Sequence, residues 1–289
     1  MNPYIQSLRL RTLPLSMSGI ILGAGLAAKD SLSGMPLGGW IIFALAICTT
    51  LSLQILSNLS NELGDAQKGT DTDQHGRAAY GLQAGTITVK EMKTMIGLFI
   101  GLSVLFGTVL VYFAFGSLVS LQSILFLLLG LLAIIGAMTY TLGRHSYGYM
   151  GLGDLGVFIF FGLVSTLGSF YLQTQFMTWE VICCGIAIGL PCVGVLNLNN
   201  IRDMNNDRAH GKHTFASLLG ITGGKIYHTC LLILCLALFA FWGHVWTLVI
   251  LPVWAWHLWY IWTHEGSQLD LQMPVLMFST LVVACLGWL

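Results

Sequence analysis

Long apolar runs, separated by short polar or Gly/Pro breaks, account for most of the chain. They fall near residues 13–28, 39–60, 92–114, 118–141, 153–173, 179–198, 215–242, 245–262 and 271–289. Most approach the roughly 20 residues that a helix needs to cross a hydrocarbon layer. The pattern predicts an all-α, polytopic membrane bundle of about nine transmembrane helices, built as a single integral-membrane domain over residues 1–289. Two divisions are weakly marked. The first run is short and carries Pro14 near its start, and Leu231 to Trp262 is almost continuous apolar sequence, broken only near Gly243 and His244.

Two polar islands interrupt this pattern. NELGDAQKGTD runs from Asn61 to Asp71 and NLNNIRDMNNDRAHGK from Asn197 to Lys212. Each follows an apolar run, and each sets amides and carboxylates one helical turn apart. Asn61 and Asp65 are four residues apart, as are Asn199, Asp203 and Asp207, so on a continuing helix each set lies along one stripe. The islands also echo one another, with asparagines three apart at Asn58 and Asn61 and again at Asn197 and Asn200. After the first island comes a long, glycine-containing stretch from Asp65 to Lys90. Thr88 and Glu91 have capping-box spacing and predict the start of the third helix. The residues between form either a lid over a pocket, carrying substrate contacts, or a disordered connector.

Composition strengthens the membrane reading. Of 289 residues, 56% are hydrophobic and 8% charged, against roughly 25% charged in a soluble domain. The 12 basic and 12 acidic residues balance, so nothing points to a nucleic-acid partner. All seven cysteines lie in apolar runs, and neither a zinc knuckle nor a disulfide framework is favoured. Arg9 and Arg11 lead directly into the first apolar run with no small-residue cleavage pattern, so that run is expected to remain as a membrane helix. If the N-terminus is cytoplasmic, Arg9, Arg11, Lys68, Arg77, Lys90, Lys93, Arg144, Arg202, Arg208, Lys212 and Lys225 share that side, and only Lys29 lies outside. This positive-inside bias places both islands on the cytoplasmic face.

The chemistry follows from the acids that would converge there: Asp65, Asp71, Asp203 and Asp207, with Glu62 and Asp73 nearby. Two carboxylates about 4 Å apart repel by roughly 4 kcal/mol at an effective dielectric of about 20. Hard divalent cations remove that repulsion, and carboxylate and amide oxygens suit Mg²⁺, which it shares with substrate phosphate. Arg9, Lys68, Arg144, Arg208 and Lys212 end on the same face and can donate charge-assisted hydrogen bonds to a diphosphate. Taken singly, Asp73 or Lys90 is equally well a solvated helix end. The set, repeated beside lipid on two helices, points to function. A phosphorylated head with an apolar tail fits such a site, as in a polyprenyl diphosphate. Its allylic C–O bond ionises when the departing diphosphate is stabilised. Tyr140, four residues before Arg144, can present its ring or hydroxyl to the resulting cation. His75, His145, His210 and His213 share this face and are either solvated loop residues or aids to deprotonating a phenol.

RLRTLP from Arg9, NELGDAQKGTD from Asn61, YTLGRHSYGYMGLGD from Tyr140 and NNIRDMNNDRAHGKHTFASLLG from Asn199 together resemble the UbiA superfamily of intramembrane aromatic prenyltransferases. The similarity extends over nearly the whole chain in span order and is greatest to the branch that acts on 1,4-dihydroxy-2-naphthoate. The resemblance implies nine helices around a central cavity open to lipid, with two Mg²⁺ ions bridged by the substrate diphosphate. Asn61, Asp65, Asp71, Asp203 and Asp207 would serve the metals. Arg9, Asn61, Lys68, Arg144, Arg208 and Lys212 would bind substrate, and Tyr140, Asp65 and Asp207 would be catalytic. It further implies attack by the naphthoate ring carbon bearing the carboxylate, loss of CO₂ and formation of demethylmenaquinone, at the inner membrane of a bacterium. Two positions depart from the pattern: Glu62 stands where the superfamily usually has Asp, and Asp154 where Glu is common. Two other readings remain open at this point: a prenyltransferase for 4-hydroxybenzoate or another aromatic acid, and a transporter, which should carry its acids or amides near midspan.

Overall fold

A computed structural model of the chain describes residues 2–29, 37–69 and 81–289. Among these residues, nine helical segments are long and apolar enough to cross a membrane: Pro3–Lys29, Leu37–Lys68, Val89–Phe115, Leu121–Thr139, Gly153–Thr174, Trp179–Arg202, Phe215–Phe241, Val245–Thr263 and Gly266–Leu286. They are called the first to ninth spans below. The chain is an integral membrane protein. The described residues hold no strand, and their single β-type contact is a bridge between Met150 and His213.

Local signals explain most of the boundaries. Thr88 and Glu91 form the full capping box at the start of the third span, which satisfies two otherwise unpaired N–H groups. Gly116 ends that span with a left-handed φ of 67°, a conformation glycine adopts without a Cβ clash. The weak division near Gly243 is a true break, since the seventh span stops at Phe241 and Gly243 has φ 86°. The first span begins with a short helix Pro3–Ser7 and a 3₁₀ turn Leu10–Thr12, and only then becomes the regular helix Leu13–Lys29. Pro14 lies in the first turn of that helix, where its missing N–H costs no intrahelical bond.

The islands depart from the expected limits in opposite ways. The second span does not end near residue 60 but continues as helix to Lys68, so Asn61 and Asp65 share one helical face. The sixth span stops at Arg202, and Asp203 (φ −96°, ψ 6°) separates it from a short helix Met204–Ala209. Helical i→i+4 bonds still cross this kink, from Asp203 N to the Asn199 carbonyl at 3.0 Å and from Asp207 N to the Asp203 carbonyl at 2.8 Å, so Asn199, Asp203 and Asp207 follow one another a turn apart on a bent helix. The segment expected to form a lid lies largely within residues 70–80, outside the described residues, and Asp71, Asp73, His75 and Arg77 lie there with it.

The sixth span is the central post of the bundle: 78% of its most apolar stretch is buried, against 6% for the fourth, which faces lipid. The fifth and sixth spans meet where a Cβ on Gly162 would lie 2.6 Å from Gly189 Cα, a backbone approach that only glycine permits. Phe158–Val164, the segment that carries Gly162, is a π-helical stretch of the fifth span. Such a stretch widens the helix locally and is common at functional sites. Here it turns Phe160, Phe161 and Val164 onto the wall of an internal cavity.

Candidate active site

That cavity has a volume of 570 Å³ and runs through the first to sixth spans. One end is polar, with Arg9, Asn61, Asp65, Tyr140, Asn199 and Lys212 on the wall. The rest is largely apolar and reaches Phe126 and Leu172. Phe126 closes this region by packing on Tyr171, with centroids 5.8 Å apart and planes 14° apart, and on Phe115 at 5.4 Å. The polar end lies between two helix C-termini, those of the second and sixth spans. Exposed carbonyls give each terminus a partial negative charge, so the carboxylates there add to an existing preference for cations.

The first island is braced before it is functional. The Asn58 amide donates to the Leu8 carbonyl at 2.9 Å and to Thr12 Oγ1 at 3.1 Å. These bonds hold the chain on either side of Arg9, whose backbone sits in the left-handed region at φ 51°. Side chains other than glycine rarely occupy that region, and it persists where surrounding contacts over-determine it. One turn later, Asn61 Oδ1 accepts from Thr141 Oγ1 at 3.0 Å. Asp65 Oδ1 accepts from the Tyr149 hydroxyl at 2.9 Å. Glu62 lies on the other side of the helix, fully buried. Its Oε1 accepts from Leu82 N at 2.8 Å and from Ser7 Oγ at 3.2 Å. Glu62 thus joins the N-terminal helix to the start of the 81–87 turn.

In the second island the matching brace is Asn197, whose amide donates to the Gly224 carbonyl at 3.0 Å. The asparagine echo between the islands therefore marks corresponding struts. Arg202 binds Asp203 through Nε at 2.9 Å and through its second guanidinium arm, and it also reaches Asn199 and Asp270. Asp207 is buried, with Lys212 Nζ 3.3 Å from Oδ1 and 3.2 Å from Oδ2. Burial pushes the Asp207 carboxyl above the usual range, Lys212 opposes this, and the charges of Asp203 and Asp65 add to the upward push. Carboxylates from both islands thus feel one another. A group in that state gains from a divalent cation.

The loop between the fourth and fifth spans covers this junction. Tyr140 caps the fourth span, and its ring meets Tyr147 edge-on at 5.3 Å. Glycines make the room: a Cβ on Gly148 would lie 2.7 Å from the Tyr140 carbonyl oxygen, and one on Gly153 would lie 3.1 Å from its hydroxyl. The Tyr147 hydroxyl donates to the Gly136 carbonyl at 3.1 Å. Burial raises both phenols, Tyr147 to about 12 and Tyr140 further, and neighbouring Tyr147 and the acids Asp154, Asp65 and Asp207 add to the rise at Tyr140. Both rings face the site as neutral, electron-rich surfaces.

Among the described residues, Arg9 and Lys212 are the basic ones on the cavity wall. Lys68 donates to the Thr141 carbonyl at 2.7 Å and to Ser146 Oγ, and Arg208 donates to the Ser217 carbonyl. Arg144 and His145 are exposed on the loop, while His210 Nδ1 lies 2.9 Å from the Asn206 carbonyl oxygen. Asp154 is half-buried in the first turn of the fifth span. Residues not singled out from sequence, Thr141, Tyr147, Tyr149 and Arg202, make many of the connections. The signal available for three of them was the Tyr- and Gly-rich run that starts at Tyr140.

Among the described residues, no three of His, Cys, Asp and Glu come together as a metal cluster. The donors present nevertheless fit Mg²⁺, which takes one or two carboxylates and completes its shell with water and substrate phosphate. Asn61, Asp65 and Asn199 offer oxygens on the cavity wall, and Asp207 offers a buried carboxylate paired with Lys212.

Residues 16–282 match the UbiA prenyltransferase family. The chain is 43% identical over 239 residues to 1,4-dihydroxy-2-naphthoate octaprenyltransferase of Escherichia coli, covering 82% of this chain and 75% of that protein. It is 40% identical to the Haemophilus influenzae protein of the same name, covering 78% and 72%. Two solved structures share the fold. A UbiA homolog from Aeropyrum pernix has a TM-score of 0.68 and 18% identity, covering 95% of this chain and 98% of that one. A UbiA homolog from Archaeoglobus fulgidus bound to DMAPP and Mg²⁺ has a TM-score of 0.62 and 14% identity, covering 98% and 86%. Nine spans among the described residues, six of them lining a polar-headed cavity, and a family match over nearly the whole length agree: this chain belongs to the UbiA prenyltransferase family.

Proposed function

We propose that the protein transfers a polyprenyl group from polyprenyl diphosphate to 1,4-dihydroxy-2-naphthoate, releasing diphosphate and CO₂ and forming demethylmenaquinol. The observation that carries this reading is the cavity itself, in which Asn61 and Asp65 of the first island meet Asn199 and Lys212 of the second at the head of an apolar channel. The identity of the acceptor is supported by relatives at 40% and 43% identity that carry the naphthoate name.

Asn61 and Asp65 on one side and Asp203 and Asp207 on the other would hold two Mg²⁺ ions, with Asp71 a further candidate. When bound, these ions would supply the positive charge that makes diphosphate a good leaving group. Arg9 and Lys212 bind the outer phosphate oxygens, with Arg144 at the rim. Lys68 and Arg208 support the loops that frame the head group. The prenyl tail lies along the apolar wall toward Phe126, which keeps water from the reacting carbon. The allylic C–O bond breaks with its electron pair leaving on diphosphate. The rings of Tyr140 and Tyr147 stabilise the allylic cation through their π faces. The ring carbon bearing the carboxylate forms the new C–C bond, and the electrons of the C–CO₂ bond restore the aromatic ring as CO₂ departs. The bias of basic residues supports a site facing the cytoplasm of a bacterial inner membrane, where a soluble aromatic acid meets a lipid donor.

Membranes containing the protein, given Mg²⁺ and a polyprenyl diphosphate, should prenylate dihydroxynaphthoate and give little product with 4-hydroxybenzoate. The opposite preference overturns the acceptor assignment.

A further inference from the structure

Tyr149 lies in the 3₁₀ turn Tyr147–Tyr149 and touches both islands. Its hydroxyl donates to Asp65 Oδ1 at 2.9 Å. Lys68 Nζ, one turn further along the second span, sits 3.7 Å from the ring centroid. From the second island, Lys212 Nζ lies 5.7 Å from the same centroid, and that ammonium pairs with Asp207. The backbone joins in as well: the Tyr149 carbonyl accepts from His213 N at 3.1 Å, beside the Met150–His213 bridge.

We infer that Tyr149 is a positioning residue that holds the two islands in register around the diphosphate, its hydroxyl orienting Asp65 and its ring seating Lys68 and Lys212. The inference rests on the reading of Asp65 as a metal ligand. A carboxylate that binds metal needs its second oxygen fixed, because a freely rotating carboxylate loses orientation each time the metal leaves. Tyr149 takes Oδ1 and leaves Oδ2 available. Phenylalanine could seat the ammonium groups but could not orient the carboxylate. Serine could donate to Asp65 but has no π face for the two cations. Tyrosine combines both functions in one side chain. Hydrogen-bond partners of metal-binding carboxylates typically change metal affinity or activity by about 10–100-fold when removed.

The test uses purified full-length protein, with Mn²⁺ and inorganic diphosphate as probes and electron paramagnetic resonance as the binding readout, alongside Mg²⁺ titrations of activity. Tyr149→Phe should weaken Mn²⁺ binding and raise the half-saturating Mg²⁺ concentration by about 10-fold or more, with kcat at saturating Mg²⁺ retained. Tyr149→Leu should in addition raise KM for the prenyl diphosphate. Wild-type Mn²⁺ affinity and Mg²⁺ dependence in Tyr149→Phe overturn the inference, as does a loss confined to folded yield. Asp65→Asn separates the two levels. If Asp65→Asn binds Mn²⁺ as wild type does, the ligand reading itself fails. If Asp65→Asn loses binding while Tyr149→Phe keeps it, only the role of Tyr149 fails.

Discussion

Arg202 engages both carboxylate oxygens of its neighbour Asp203 and also donates to Asn199, Asp270 and the Met273 sulfur. Two oxygen-bearing residues of the second island are thus held by one guanidinium whose side chain is 5% exposed. Arg202→Gln removes this charge from a cluster that also feels Asp207 and Asp65. The variant should lose about 3 kcal/mol of stability, the low end for a broken buried pair because Asp270 is 34% exposed. Added Mg²⁺ should raise the melting temperature of the variant more than that of wild type, since a cation replaces the missing one. Equal Mg²⁺ increments in thermal unfolding of detergent-solubilised protein would contradict this.

The depth of the apolar channel should set which donors are accepted. Gly130 is on the channel wall and ten residues before Tyr140 in the fourth span, about 15 Å along the helix. A Cβ added there meets nothing within 4 Å, so Gly130→Phe fills empty space rather than displacing a neighbour. Short prenyl diphosphates should still react and long ones should not. Mass spectrometry of products from a mixed-length donor pool reads this directly, and an unchanged length distribution would remove Gly130 from the tail path.

Tyr140 depends on its glycine neighbours. Gly148→Ala would place a methyl group 2.7 Å from the Tyr140 carbonyl oxygen and 3.0 Å from its ring. Backbone cannot yield as a side chain can, so the loop must shift. The expected result is a rate loss of about 10-fold or more, equivalent to about 1.4 kcal/mol of barrier, with Mn²⁺ and diphosphate binding intact. A loss of binding with unchanged turnover at saturation would place Gly148 in metal assembly instead.

Glu62 is absent from the cavity wall and is bound by Leu82 N and Ser7 Oγ, which predicts a role in stability rather than in metal binding. Glu62→Ala leaves Leu82 N and Ser7 Oγ without their acceptor and should cost about 1–3 kcal/mol in stability. The half-saturating Mg²⁺ concentration of the folded fraction should remain that of wild type; a 10-fold rise would make Glu62 a ligand.

Features that depend on neighbours in sequence were legible. The nine apolar runs correspond in order to the nine spans of the described residues, and the Thr88 capping box and the Asn61–Asp65 face follow from helical period alone. The asparagine echo was visible too, but its meaning was not, because Asn58 and Asn197 act on partners 50 and 27 residues away. Helical spacing also implies one stripe through Asn199, Asp203 and Asp207, and the kink at Asp203 bends that stripe while its one-turn hydrogen bonds persist. The face on which Lys68 ends is legible from helical period, but its bonds to Thr141 and Ser146, 73 and 78 residues away, are not. Tyr149 and Asp65 are 84 residues apart. No local pattern relates them, and only the packing of the loop over both helix ends brings them together.

The decarboxylative transfer is tested most directly with dihydroxynaphthoate isotopically labelled in its carboxyl carbon. Supplied with Mg²⁺ and polyprenyl diphosphate, membranes carrying the protein should release labelled CO₂ equimolar with prenylated naphthoquinol, and chelation by EDTA should stop both together. Label retained in the prenylated product, or product formed at full rate without a divalent cation, would contradict Mg²⁺-assisted transfer to the carboxylate-bearing carbon.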